Sequence, residues 1–234
     1  MENNNQRIID SFKLPFYLVV VMFLIHIFQM LSYHELGYWG IYPREWVGLR
    51  GIFFAPLVHA SISHLLSNSI PLLVVGTIIM YFYRSVAVQA FIMIYLLTGM
   101  AVWLLGRSVF HIGASGVVYG MVAFVFWNGV FRRNLKSVIL AAIITLLYSG
   151  MFFGIMPNQE GISWESHLLG GLVGIFVSYY FKEELETDEL DEEGDYVTLE
   201  QPKQPFFNVD TFTMTKDERR RREEESQRFD NDLL

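Results

Sequence analysis

The chain has 234 residues, 53% hydrophobic and only 18% charged, with 20 Phe, 12 Tyr and 5 Trp, where a soluble domain carries nearer a quarter charged residues. Its net charge of −7 sits in the tail, because residues 182–234 hold 18 acidic and 8 basic side chains while residues 1–181 hold 6 and 9, so it points to no acidic or nucleic-acid partner of the body. With no cysteine, disulfides, thiol catalysis and Cys-ligated metal sites are excluded.

After a short polar stretch, residues 1–13, six apolar segments follow at about the 17–25 residues that a helix needs to cross the hydrocarbon of a bilayer. The first, Leu14–Tyr33, is too long for the core of a signal peptide and is followed by no small-residue cleavage pattern, so it reads as a retained helix. The loop from His34 to Ala60 carries Trp39, Trp46, Phe53 and Phe54, aromatic residues suited to the membrane interface. The second segment, Ser61–Tyr83, opens in "HASISHLLSN", which supplies His59, His64 and Asn68; the last two stand i,i+4 on one helical face. Val86–Leu105 is the third.

The irregular stretch "GRSVFHIGA" leads into the fourth segment, Gly116–Phe131, with Ser115 at its head and Tyr119 one turn later. This segment is short for a span, so the preceding loop is expected to dip inward, which is tolerated only under protein or beside a wet cavity. The fifth, Leu135–Met156, ends at the polar loop "PNQEGIS", and the sixth, Trp164–Phe181, opens in "SWESHLLGG" with His167 one turn in. From residue 182 to 234 the acidic tail cannot bury a core and is expected to be disordered, with "TKDERRRREEESQRF" able to form a charged helix.

Arg7, Lys13, Arg84, Arg132, Arg133, Lys136 and Lys182 fall on the side of the N-terminus, against Arg44, Arg50 and Arg107 opposite, which places both termini in the cytoplasm. The second, fourth and sixth segments then all begin at the outer face. His64 with Asn68, Ser115, and His167 therefore lie at a similar depth on three separate segments. Polar groups inside spans are costly and mark functional sites. Gly116 and Gly120, with Ala123, make a small-residue stripe on the fourth segment, and Gly170, Gly171 and Gly174 share a face with His167 on the sixth. Stripes of this kind let backbones approach closely, and if they meet, Ser115 faces His167. A lone His such as His26 or His111 reads as an interfacial or locally bonded group, but Ser with a His that can serve as base is the minimum for nucleophilic catalysis.

These motifs resemble the rhomboid intramembrane serine proteases. "HASISHLLSN" fits that family's His-x4-His-x3-Asn signature, "GASG" (Gly113 to Gly116) its Gly-x-Ser-Gly motif, and "SHLLGGLVG" its final-helix histidine followed by glycines, over roughly residues 14–181. The resemblance implies an all-α membrane protein, a six-helix bundle with an interfacial first loop, in which Ser115 is the nucleophile and His167 the general base and later acid. It makes His64, Asn68 and the Ser115 N–H the oxyanion hole, has Tyr119 stack on the His167 ring, and gives His59 a structural role. In many members the first loop carries a Trp-Arg pair; "PREWVGLRG" has Arg44, Trp46 and Arg50 but no such dipeptide.

Ser115 at a helix N-terminus also sets its own N–H and the positive end of the helix beside a developing oxyanion. Glu165, two residues from His167 and on another face, leaves a dyad without a carboxylate. The expected activity is serine endopeptidase cleavage of single-span or polytopic membrane proteins, in or just outside their spans and toward the outer face. The resemblance implies that substrate enters laterally between the second and fifth segments, with Phe152, Phe153 and Trp164 as gate-side residues. No metal or organic cofactor is expected. The short polar N-terminus favours a bacterial cytoplasmic membrane. Three other readings stand beside it: an inactive rhomboid-like escort protein, which would be expected to lack the Ser or His; a transporter, which predicts repeated halves with broken helices, whereas no repeat is seen and Pro71 is the only mid-helix breaker; and a metalloprotease on His59, His64 and His167, which lacks His-Glu-x-x-His spacing.

Overall fold

A computed structural model of the chain describes residues 4–133, 135–156, 163–184, 215–218 and 220–221. Its contacts divide the chain into a unit Met1–Glu186 and a second unit Thr187–Leu234. Most of the acidic tail lies outside the described residues; of it, residues 216–218 and 220–221 are helical, with the Thr215 hydroxyl donating to Glu218 at 2.8 Å.

The first unit is built from six long helices: α1 (Asn4–Ser32), α3 (Ile62–Phe82), α4 (Ala87–Leu105), α5 (Ser115–Arg132), α6 (Leu135–Tyr148) and α7 (Trp164–Tyr180). A short α2 (Gly51–Phe54) and 3-10 turns at Leu36–Trp39, Trp46–Arg50 and Ala55–Leu57 fold the first loop. Among these helices α1, α3 and α4 are long and apolar enough to cross a membrane. In α1 only 17% of the apolar window is buried by the rest of the protein, with Leu24, Phe28 and Leu31 all more than half exposed. A continuous apolar face of that size has no stable place in water, and the chain is an integral membrane protein.

Two element boundaries differ from those the apolar pattern suggests. α1 begins at Asn4, ahead of Leu14, because the polar residues of its first turns carry on the same helix. Pro15 therefore falls inside a helix, and Pro71 is not the only such breaker; the Pro15 ring packs where a Cβ on Gly76 would come within 2.9 Å, which closes α1 onto α3. The fifth segment keeps α geometry only to Tyr148 and continues as a 3-10 stretch, Ser149–Ile155.

The first loop is held by arginines reaching backbone oxygens and one serine hydroxyl. Arg44 Nη1 donates to Gly106 O at 2.7 Å and Nη2 to Ser108 Oγ at 3.0 Å. Arg50 Nη2 donates to Tyr38 O at 2.8 Å and its guanidinium lies 4.9 Å above the Trp39 ring. Trp103 Nε1 returns a bond to Glu45 O. Trp46 contributes nothing to this anchoring and is 84% exposed.

α5 sits at the centre, against α7, α6, α3 and α4. Its contact with α7 is made by backbone on backbone. A Cβ on Gly170 would collide with the carbonyl of Gly116, one on Gly174 with the carbonyl of Gly120, and one on Gly116 would come within 3.0 Å of the Ser166 carbonyl. The two helices thus run parallel, four residues in register with four. Gly171 lies outside this seam: a Cβ there would meet nothing within 4 Å, because one residue further along a helix turns the position away by about 100°. Gly170→Val is expected to force the helices apart, costing about 1–3 kcal/mol or more of stability, while Gly171→Ala is tolerated. Thermal unfolding of both variants in detergent checks this, and equal midpoints would contradict the seam.

Candidate active site

Three helices present their N-terminal turns to one cavity of about 750 Å³, within the size range of enzyme pockets. His64 and Asn68 line it from α3, Ser115 and Tyr119 from α5, and His167 from α7. α3 is started by Ser61, whose hydroxyl accepts from His64 N at 3.2 Å and so fixes the turn that carries His64. Asn68 is 3% exposed and donates from Nδ2 to the His64 carbonyl at 2.8 Å, which holds the amide on the face it shares with His64.

Ser115 is the first residue of α5, and Ala114 before it offers no side-chain cap to the N–H groups of the opening turn. Gly113 turns the chain into that helix at φ +98°, a left-handed conformation suited to glycine, and donates its N–H to Ala55 O at 2.8 Å. A Cβ at Gly113 would lie 2.6 Å from His64 Nε2. Glycine is needed twice at this position, for the turn and for the imidazole packed against it.

His167 is held on two sides. Its ring stacks on Tyr119 at 4.2 Å between centroids and 9° between planes. Its Nδ1 lies 2.8 Å from Gly154 O. A carbonyl only accepts, so Nδ1 carries the hydrogen and Nε2 keeps its lone pair. Gly154 belongs to the 3-10 stretch after α6, and residue types give no warning of it, because the group that acts is a backbone carbonyl. Glu165 takes no part in holding the ring: its Oε1 pairs with Arg107 Nε at 2.9 Å. Ser115 and His167 share the cavity wall without a hydrogen bond between them among the described residues. Such pairs are commonly long until a substrate is seated.

His59 stands just before α3, 1% exposed, edge-on to the His64 ring at 5.0 Å between centroids, and does not line the cavity. Burial, with the neighbouring His64 ring, pushes its pKa down to about 4, so it is neutral at pH 7 and serves as packing behind His64. Among the described residues no three His, Asp or Glu side chains come together to hold a metal ion. The side chains of Phe152 and Phe153 and the loop 157–162 lie outside the described residues, and Trp164 is half-buried at the start of α7.

Comparison with known proteins places this arrangement among relatives. Residues 44–184 match the sequence family described as the Rhomboid domain. An uncharacterised protein of Mycobacterium bovis is 35% identical over 170 residues, covering 69% of this chain and 71% of that protein. One of Mycobacterium leprae is 34% identical over 186 residues, covering 75% and 74%. Rhomboid-related protein 2 of mouse is 28% identical over 139 residues, covering 53% of this chain and 45% of its own.

Proposed function

The chain belongs to the rhomboid family, and from that premise we propose that it is an intramembrane serine endopeptidase acting through Ser115 and His167. The observation that carries the reading is one cavity wall holding a serine at a helix start, a histidine with its ring clamped and Nε2 free of a proton, and two polar side chains on a third helix.

The chemistry follows from those positions. Ser115 Oγ attacks the carbonyl carbon of the scissile peptide while His167 Nε2 takes the hydroxyl proton. Negative charge moves to the carbonyl oxygen, where the Ser115 N–H, the His64 ring and the Asn68 amide donate to it. The C–N bond then breaks as His167 returns its proton to the leaving amine, leaving an acyl group on Ser115. Water attacks that ester with His167 again as base, releasing the acid and regenerating the serine. The ring stack and the Gly154 carbonyl do for the imidazole what the carboxylate does in a three-membered serine protease site.

The substrates proposed are membrane proteins, cleaved in or beside a spanning helix on the outer side, with both termini of this chain in the cytoplasm of a bacterial cell. Entry is assigned to the side between α3 and α6, from which Ser63, Ser67 and Pro71 of the one and Tyr148 of the other line the cavity. The test compares wild type, Ser115→Ala and His167→Ala in detergent on a single-span substrate, with and without chelator, together with fluorophosphonate labelling. Cleavage by Ser115→Ala at the wild-type rate would end the proposal, and loss of activity to chelator would replace it with a metal mechanism. Within the same reading, His64→Ala and Asn68→Ala are each expected to lower kcat by about 10²–10³, the cost of one donor to the oxyanion. An effect confined to KM would remove them from that role.

A further inference from the structure

A second polar cluster lies on the outer wall of the cavity, between the segment that delivers Ser115 and the segment that delivers His167. His111, 3% exposed, is at its centre. Its backbone pairs in both directions with Ile41 of the first loop, at 2.9 Å each way. Its Nε2 lies 3.0 Å from the Arg107 carbonyl, and its Nδ1 is hydrogen-bonded to the Ser163 hydroxyl. Ser163 Oγ in turn meets Ser166 Oγ at 2.7 Å.

The proton order in this chain is set by its fixed end. The Arg107 carbonyl only accepts, so Nε2 carries the hydrogen and Nδ1 is the acceptor. Burial pushes the pKa of His111 down, which keeps the ring in this neutral form. His111 Nδ1 then accepts from the serine hydroxyls, with Ser163 Oγ against it and Ser166 Oγ 3.5 Å away, and the two hydroxyls are bonded to each other. The cluster links the residue next to His167 to a loop four residues before Ser115. Alongside it, Arg107 Nε pairs with Glu165 Oε1 at 2.9 Å, with Glu165 almost wholly buried. The carbonyl of the last member, Ser166, packs where a Cβ on Gly116 would come within 3.0 Å, so the cluster adjoins the top of the glycine seam.

We propose that His111, Ser163 and Ser166, with the Arg107–Glu165 pair, are positioning residues that set the register of Ser115 against His167; this rests on the protease reading above. The seam fixes how far apart α5 and α7 stand, but glycine on glycine offers little resistance to sliding along the axes. Directional hydrogen bonds from residues 163 and 166 to residue 111 supply that resistance at the end of the helices where it matters for the dyad. Arg107, His111 and Ser163 line the same cavity as Ser115 and His167, and the role given them is to hold the two helix starts, not to react.

The experiment measures kcat, KM, the rate of fluorophosphonate labelling and the thermal midpoint for His111→Leu, His111→Asn, Ser163→Ala, Ser166→Ala and the double variant His111→Leu/Ser163→Ala. Misplacement by a fraction of an ångström to one ångström is expected to lower kcat and the labelling rate together by about 10- to 100-fold, with KM within twofold of wild type. The double variant should be no worse than His111→Leu, since both break the same link. His111→Asn, whose amide oxygen stands near the place of Nδ1, should recover most of the loss. Serine variants that label at the wild-type rate would overturn the proposal. So would losses that track the folded fraction alone, or single effects that simply multiply in the double variant. A wild-type protein that takes no label on Ser115 overturns both this proposal and the protease reading.

Discussion

Ser115→Ala is expected to abolish cleavage, with kcat lowered on the order of 10⁴-fold or more, and His167→Ala to fall as far. The reason is that neither residue works alone. Without Oγ there is no covalent intermediate, and without Nε2 the hydroxyl keeps its proton and stays a weak nucleophile. The double variant should therefore lie no lower than either single one, as for other groups that act as a unit. Single-turnover cleavage of a single-span substrate in proteoliposomes, with the products identified by mass, measures this directly. The absence of cysteine gives a second route. Ser115→Cys introduces the only thiol in the chain, and its alkylation rate should drop when His167→Ala is added. Equal rates in the two backgrounds would show that His167 does not reach residue 115.

Gly154→Ala is expected to be the next most damaging change, although glycine brings no side chain to the reaction. A Cβ at this position would collide with the Tyr119 hydroxyl and lie 3.1 Å from His167 Nδ1, so the 3-10 stretch must move away from the ring it orients. The carbonyl then leaves Nδ1, and the imidazole is free to adopt the tautomer with its hydrogen on Nε2, which cannot accept from Ser115. Loss of the orienting partner in a serine protease site, with the geometry otherwise intact, costs about 10⁴ in kcat. Here the Tyr119 stack remains, and about 10²–10³ is expected, with KM little changed. Nitrogen NMR of the His167 ring separates the two tautomers, and a ring unchanged in Gly154→Ala would exclude this role for the carbonyl.

The parts legible in the sequence are those the membrane dictates. A span must satisfy its own backbone and face lipid with apolar side chains, so the spanning helices α1, α3 and α4 stand out as apolar runs, and a buried Ser, His or Asn in such a body is conspicuous. Gly116, Gly120, Gly170 and Gly174 were readable as a seam for the same reason, since small residues at a spacing of four have few other uses there. What escaped notice is carried by the backbone or by packing between distant segments. The start of α1 at Asn4 leaves no apolar trace. The change from α to 3-10 geometry after Tyr148 goes with the contact of the Gly154 carbonyl on His167, a long-range partner that local propensity does not encode. Gly171 looked equivalent to Gly170 because residue type alone does not say which of two adjacent glycines meets the neighbour. By type and position His111 reads as an interfacial or locally bonded histidine; its bond to the Arg107 carbonyl is local, but its other partners, Ser163 and Ser166, stand more than 50 residues away and are of a type too common to signal a contact. A hint was available in Arg107 and Glu165, two opposite charges expected at the same outer level of an otherwise apolar body.

The glycine contact between α5 and α7 also has a thermodynamic side. A surface made of backbone has no rotamers to freeze, so the two helices dock without the side-chain entropy that an equivalent leucine contact would lose. The same four glycines weaken their helices by roughly 1 kcal/mol each relative to alanine wherever water can compete for the peptide groups. Hydrocarbon removes that competitor, because an opened peptide bond finds no other partner there. The seam is thus cheap to close inside a membrane-embedded bundle and costly to keep in water.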